Sequence, residues 1–370
     1  MPLRLKDVRW GRFGEDLLLY TPVPEEITLA DPSGDVERLL VRLRDGADSA
    51  QALADALSLP VDDVAEALGA LDGLGLVTAT DTGALTPWQL DRYRSNLALF
   101  EVLSGIDRAP STYQETLLRS HVVALGTGGL GSAVLQALTG FGVGRFTLVD
   151  FDRIERKNLA RQYLYRESDI GRLKVESAAD WVRGYTPDAR VTAVNARIDS
   201  PGDVSALLAD ADLLIGAIDQ PFEVRDWVDE ACVTAGVPYV FGSGSPFSVS
   251  YWSVDPGRSA CRGCSELTAG TGAAADTARL ARMTELARLS TPVNIGTGPV
   301  VSLLGGLVAV EAMRYLVGFT PAVAAGRLRL MDLSTGDQTV TEWTPHPDCP
   351  RCRAAKARVH EPEPEALSHG

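Results

Sequence analysis

The sequence predicts an α/β protein: a doubly wound, mostly parallel sheet preceded by a small α+β unit. Three observations predict it. Short apolar runs alternate with helical stretches through the middle of the chain, as strands and crossover helices do in a parallel sheet. A glycine cluster, Gly126 to Gly131, closes the first of those runs. The first 85 residues follow a different order, with short strands first and helices after. Length agrees, since 370 residues exceed one average domain.

Residues 1–85 read as a winged-helix-like peptide-recognition unit. Apolar positions alternate around Val8-Arg9-Trp10, in Leu17 to Tyr20 and in Ile27 to Leu29, separated by Gly14-Glu15-Asp16 and Pro22-Val23-Pro24. Helices are expected over Asp35 to Leu43, Ala50 to Leu57 with Ser49 as N-cap, and Val61 to Leu71, opened by Pro60 and closed near Gly73. Leu76 to Ala79 closes the unit as a strand. A DNA-reading role needs a basic recognition helix, but the third helix carries Asp62, Asp63 and Glu66. Residues 86–120 form a linker and a leading helix, Leu90 to Leu103. Residues 121–352 hold the main domain and 353–370 a flexible tail.

In the main domain, strands are expected at His121 to Leu125, Phe146 to Val149, Arg190 to Asn195, Asp212 to Ala217 and Pro238 to Gly242. Helices are expected at Gly129 to Leu138 and Leu173 to Tyr185. Val249 to Val254 and Leu328 to Asp332 read as antiparallel strands, and Thr268 to Ser290 as a mobile loop.

Charge narrows the partners. Lys and Arg number 35 against 49 Asp and Glu, a net charge of −14. Nucleic-acid affinity rests on clustered cations, and so does docking on an anionic membrane; neither partner is expected. The longest apolar run, Val300 to Val310, is too short to span a bilayer and meets Glu311. The N-terminus has no apolar signal core, so the protein reads as cytoplasmic.

Four of the five cysteines form two C-x-x-C pairs, Cys261/Cys264 and Cys349/Cys352. Four thiolates suit a closed, tetrahedral Zn²⁺ site. The span between the pairs is too long for a compact zinc ribbon, so the metal would clip the C-terminal tail to the main domain. Paired redox dithiols are the competing reading; they need a thioredoxin-like context that the sequence lacks. Cys232, in the apolar helical stretch Trp227 to Ala235, reads as a buried small hydrophobe.

Gly126-Thr127-Gly128-Gly129-Leu130-Gly131 comes after a strand and opens a helix. Gly126, Gly128, Gly129 and Gly131 allow a tight turn and bring backbone N–H groups to a phosphate. Asp150 ends the next strand, 24 positions past Gly126, where a carboxylate grips ribose hydroxyls. A nicotinamide dehydrogenase reads the same to this point. The residues beyond Asp150 depart from that pattern: Asp152, Asn158 and Arg161 crowd in, Lys174 opens a helix, and an apolar strand ends in Asp219 with Arg225 behind it. Arg161 and Lys174 can neutralise a triphosphate, and Asp219 can hold the Mg²⁺ that organises it. Together they read as a site for ATP and Mg²⁺.

Gly-x-Gly-Gly-Leu-Gly, Asp-x-Asp-x-x-x-x-x-Asn-Leu-x-Arg-Gln, Ile-Gly-x-x-Lys and the two C-x-x-C pairs make Leu90 to Cys352 resemble a known family. It is the ubiquitin-activating-enzyme-like adenylyltransferases, which include the enzymes that activate molybdopterin-synthase and thiamine sulfur carriers. The resemblance implies a Rossmann-like sheet with a structural zinc. It implies attack of a C-terminal carboxylate on the α-phosphate of ATP, giving an acyl-adenylate and pyrophosphate. The substrate would be a peptide or small ubiquitin-like carrier protein, and the enzyme a homodimer. Asp150 would meet ribose, Asn158, Arg161 and Lys174 the phosphates, and Asp219 the Mg²⁺. Where the family has Arg-Tyr-x-Arg-Gln, this chain has Arg92-Tyr93-Arg94-Ser95-Asn96, leaving Arg92 or Arg94 to act on a partner subunit. Gln220 replaces the Asn usual after the Mg²⁺ acid. The expected crossover loop, Ser265 to Ser290, has no Cys, which implies adenylation without an enzyme thioester. The N-terminal unit resembles leader-peptide recognition domains of ribosomal-peptide pathways, which bind extended peptides along a sheet edge. Two other readings stay open: a non-catalytic presenter that holds a precursor peptide for a partner enzyme, and a nicotinamide oxidoreductase.

Overall fold

The computed structural model describes residues 2–21, 26–269 and 296–359. The turn at Pro22-Val23-Pro24, most of the expected loop to Ser290 and the tail beyond residue 359 lie outside the described residues. The chain forms two compact units, Met1–Thr116 and Leu117–Gly370.

In the first unit, β1 (Leu3–Leu5) precedes a three-stranded meander, β2 (Arg9–Phe13), β3 (Asp16–Tyr20) and β4 (Glu26–Ala30). Next come helices α1 (Asp35–Asp45), α2 (Ala50–Leu57) and α3 (Val61–Gly73), then β5 (Val77–Ala79), which pairs with β1. Leu17 and Leu19 of β3 point inward and pack with Leu39, Leu40 and Leu43 of α1 and Leu68 and Leu71 of α3. Ser49 caps α2 by accepting the Ala52 N–H. Gly34 cannot cap α1; the buried Asp31 carboxylate does so, accepting the N–H groups of Val36 and Glu37 while paired with Arg12. The leading helix breaks at Tyr93 into α4 (Pro87–Arg92) and α5 (Arg94–Leu103), and α6 (Pro110–Arg119) crosses the unit boundary.

The second unit is built on an eight-stranded sheet. Its first half runs β6 (His121–Leu125), α7 (Gly129–Phe141), β7 (Arg145–Val149), α8 (Lys174–Tyr185), β8 (Arg190–Val194), α9 (Pro201–Ser205) and β9 (Leu213–Gly216). The rest is α10 (Val224–Ala235), β10 (Tyr239–Ser245), β11 (Ser248–Val254), α11 (Arg262–Ala269), α12 (Gly298–Val317), β12 (Arg327–Asp332), β13 (Gln338–Glu342) and α13 (Pro350–Val359). The order is β13-β12-β11-β10-β9-β6-β7-β8. Pairing is parallel from β10 through β8 and antiparallel from β10 to β13. All five residues of β6 are buried, as a central parallel strand requires. The chain winds from β6 out to β8, then returns to place β9 on the other side of β6. That reversal opens a crevice at the carboxyl ends of the strands.

The glycine loop sits at this crevice. Gly126 has φ +91°, and a Cβ there would meet the Ala217 carbonyl oxygen at 2.6 Å. A Cβ on Gly131 would lie 1.9 Å from the Gly126 carbonyl oxygen. The apolar run Val300 to Val310 lies inside a longer helix than its sequence alone shows. At 20 residues, α12 is long and apolar enough to cross a membrane by length and composition. Here it packs against α7, β10 and β11. Its buried Glu311 accepts hydrogen bonds from the Ser253 hydroxyl, Arg314 and the N–H groups of Val323 and Ala324.

Gly126→Ala is expected to cost about 1–3 kcal/mol through backbone strain. At about 2–4 °C per kcal/mol, the lowered Tm is measurable by thermal unfolding. An unchanged Tm would show that the loop tolerates a Cβ.

Candidate active site

A cleft of about 560 Å³ opens at the carboxyl ends of the parallel strands. Gly126, Gly128, Gly129, Asp150, Asp152, Asn158, Arg161, Lys174 and Asp219 all line it. Gly131 does not; it is buried in the first turn of α7, against the Gly126 carbonyl. Ten residues called by the sequence thus resolve into nine around one space and one that shapes the loop behind it.

Asp150 comes directly after β7 and is tied down on both oxygens. Oδ2 accepts the Thr127 N–H at 2.8 Å and the Thr127 hydroxyl at 2.9 Å; Oδ1 accepts the Asp152 N–H at 2.9 Å. The carboxylate therefore holds the glycine loop as well as facing the cleft. Tyr165 secures the loop from behind, its buried hydroxyl donating to the Thr127 carbonyl at 2.7 Å. Burial raises the pKa of that hydroxyl, which keeps it a donor.

Lys174 begins α8 and is buried, yet its Nζ reaches Asp152 Oδ2 at 2.6 Å. An ammonium taken from water needs such a partner. Asn158 ends a single 3₁₀ turn, Arg156–Asn158, and its Oδ1 accepts the Glu155 N–H at 2.8 Å, so its amide N–H₂ remains for a ligand. Asp219 lies just beyond β9 and is exposed. Arg225 does not line the cleft; its guanidinium stacks over Phe222 at 4.6 Å. Arg92 stacks over Trp88, and Arg94 pairs with Asp91 at 2.7 Å; both belong to the N-terminal unit.

Several lining residues escaped sequence reasoning. Lys157 adds a cation, paired with Glu155 at 2.9 Å. Gln162 is buried, and its Oε1 has no hydrogen-bond partner among the described residues. Its signal was its place beside Arg161 in the motif. Arg197 lies over the Phe151 ring at 5.6 Å and lines the cleft. Gly242 to Ser245 and Val300, Val301 and Leu304 also line it; a strand end at Gly242 and the apolar run from Val300 were legible, but not their place in the cleft.

The thiols of Cys261, Cys264, Cys349 and Cys352 form a second centre, all buried and within 4.8 Å of one another. Neighbouring Sγ atoms lie 3.8, 3.5 and 3.3 Å apart. Sulfurs at about 2.3 Å from a tetrahedral ion stand about 3.8 Å apart, so the set can hold a metal ion.

A glycine-loop cleft with cations, carboxylates and an α/β sheet behind it defines a nucleotide-using enzyme. The comparisons give the class a family: the chain belongs to the ThiF family, whose model matches residues 93–353. It is 33% identical over 275 residues to the SAMP-activating enzyme E1 of Haloferax volcanii, covering 73% of this chain and 92% of that one. It is 32% identical over 245 residues to the molybdopterin-synthase adenylyltransferase of Escherichia coli, covering 65% and 89%. Among solved structures, E. coli MccB with ATP shares the fold at TM-score 0.74 and 20% identity, over 95% of this chain and all of that one.

Cys232 is fully buried on α10, and burial, with Asp229 nearby, pushes its thiol pKa up. Native protein should leave Cys232 unmodified by a thiol-alkylating reagent, and Cys232→Ala should keep full activity. Rapid alkylation, or a folded but inactive variant, would contradict this.

Proposed function

We propose that the chain is an ATP-dependent adenylyltransferase. It joins AMP to the C-terminal carboxylate of a peptide or small ubiquitin-like sulfur carrier and releases pyrophosphate. One observation carries the reading: a single cleft gathers the glycine loop, Asp150, Asn158, Arg161, Lys174 and Asp219. In this reading the remaining lone pair of Asp150, on Oδ1, receives a ribose hydroxyl. Asn158, Arg161 and Lys174 meet the phosphates, and Asp219 holds Mg²⁺. A carboxylate oxygen attacks the α-phosphorus, the bond to the bridging oxygen breaks, and the cations offset the charge growing on pyrophosphate.

The acyl end has a feature suited to an extended tail. β9 pairs with β10 only through Phe241. By strand alternation, Gly244 turns its N–H and C=O to the side that β9 has vacated. No strand pairs there among the described residues. The four thiols are proposed to hold a structural Zn²⁺, since a buried all-sulfur set favours that ion. The absence of Cys from residues 265–290, with Cys232 buried, supports release of the acyl-adenylate without an enzyme thioester. A homodimer and a cytoplasmic setting are proposed from the family resemblance and the unpaired cysteines.

The N-terminal unit is read as a winged-helix-like domain that grips an extended segment of the substrate. In its meander, both outer edges lack a strand partner among the described residues. Register places Phe13 and Tyr20 on the face opposite Leu17 and Leu19, and they are 67% and 65% exposed. The fold likeness to MccB covers enough of the chain to include most of this unit, and MccB has been solved in complex with N-formylated MccA.

Asp219→Asn should abolish ATP–pyrophosphate exchange without unfolding the protein. Lys174→Ala and Arg161→Ala should each lose about 2–4 kcal/mol of transition-state stabilisation in kcat/KM. Normal turnover by Asp219→Asn would sink the metal assignment. Substituting Phe13 and Tyr20 by Ser should raise KM for a full-length peptide at least tenfold, leaving a short C-terminal fragment and ATP unaffected. Equal KM values would leave the N-terminal unit without a substrate-binding role.

A further inference from the structure

We infer that two acid–arginine pairs form a clasp that sets the four-cysteine metal site in place independently of the ion. The inference rests on the zinc reading above. Each C-x-x-C loop carries one arginine between its cysteines: Arg262 in the first and Arg351 in the second. Helix α10 carries Asp226 and Asp229, three residues apart and so on one face. Arg262 Nε meets Asp226 Oδ1 at 2.9 Å, and Arg351 Nη1 meets Asp229 Oδ2 at 2.6 Å.

Asp229 does more than pair. It is fully buried, and four donors fill its two oxygens. Oδ1 takes the Tyr239 hydroxyl at 2.8 Å and the Arg262 N–H at 3.0 Å; Oδ2 takes the Gly263 N–H at 3.1 Å besides Arg351. One carboxylate thus fixes the backbone of the first loop, a side chain of the second, and the start of β10. The two loops are 88 positions apart in sequence, and none of these bonds uses a sulfur atom. Arg262 Nη2 also reaches Glu266 Oε1 at 2.9 Å, so the first arginine bridges two acids while the second serves Asp229, and every bond of the clasp lies between protein atoms. A site organised this way loses little freedom when the ion binds, which raises affinity. Residues that orient ligands from outside typically change metal affinity by 10–100-fold.

The full-length protein tests this with Zn²⁺ as the probe. Zinc affinity is measured by competition with a chromogenic chelator, and Tm is measured with and without metal. Asp229→Asn and Arg351→Met should each weaken zinc binding by about 10–100-fold. The double variant should be no worse than the worse single, because both remove one shared interaction. Arg351→Lys should recover part of the loss. Arg351 is 22% exposed, so Arg351→Met decides the question if Asp229→Asn fails to fold. Affinities within threefold of wild type would overturn the inference. So would a lower Tm with unchanged zinc affinity, which marks ordinary packing. Loss of adenylation with the clasp intact would count against the proposed activity and leave the clasp standing.

Discussion

The cleft depends on one carboxylate. Asp150, at the end of β7, reaches across to the glycine loop after β6 and accepts both donors of Thr127. Parallel strands side by side leave their connecting loops as neighbours, and here a short acid locks one to the other. Its second oxygen sets the Asp152 backbone, and Asp152 in turn holds Lys174 beside it through both backbone and side chain. Tyr165 ties the same loop to the start of α8 through the Thr127 and Lys174 carbonyls. The glycine loop, Asp150, Asp152 and Lys174 are therefore parts of one bonded unit.

Legibility tracks locality. β6, α2 and the start of α7 stand where their patterns place them, because burial and capping are local there. β1 escapes sequence reading: three residues become a strand only by pairing with Val77–Ala79, far along the chain. β13 escapes it because every residue is exposed, leaving no apolar alternation to read. The leading helix reads as unbroken in sequence, whereas the backbone turns at Tyr93. The cleft repeats the pattern. Its acids and glycines sit in short motifs and can be named, whereas Arg197, Gly244 and Leu304 arrive by the packing of distant elements. The partnership of Asp229 with Arg351 spans 122 positions and has no sequence trace beyond two charges.

Buried charge recurs as a way of joining segments. Asp31 gathers Arg12 and the start of α1, Glu311 gathers β11, α12 and the chain after it, and Asp229 gathers the cysteine loops. In each case several donors surround the acid, which is the condition for burying it without large loss. Apolar packing supplies most of the stability of such a protein, but it is non-directional. These acids add direction: each accepts only where particular N–H groups arrive. The long apolar helix α12 shows the difference, since Glu311 pins at one depth a surface that could otherwise slide.

The Lys174–Asp152 pair gives the cleft its own resident counter-ion. The lysine that would otherwise attract any passing polyanion is neutralised by its partner at rest. In the proposed reading, a phosphate would have to displace a carboxylate 2.6 Å away to gain the lysine, so weakly charged or poorly placed anions would gain little. The pair acts as a threshold on entry. In that reading it would trade raw affinity for discrimination and favour a ligand that brings several phosphates and can satisfy the freed acid as well.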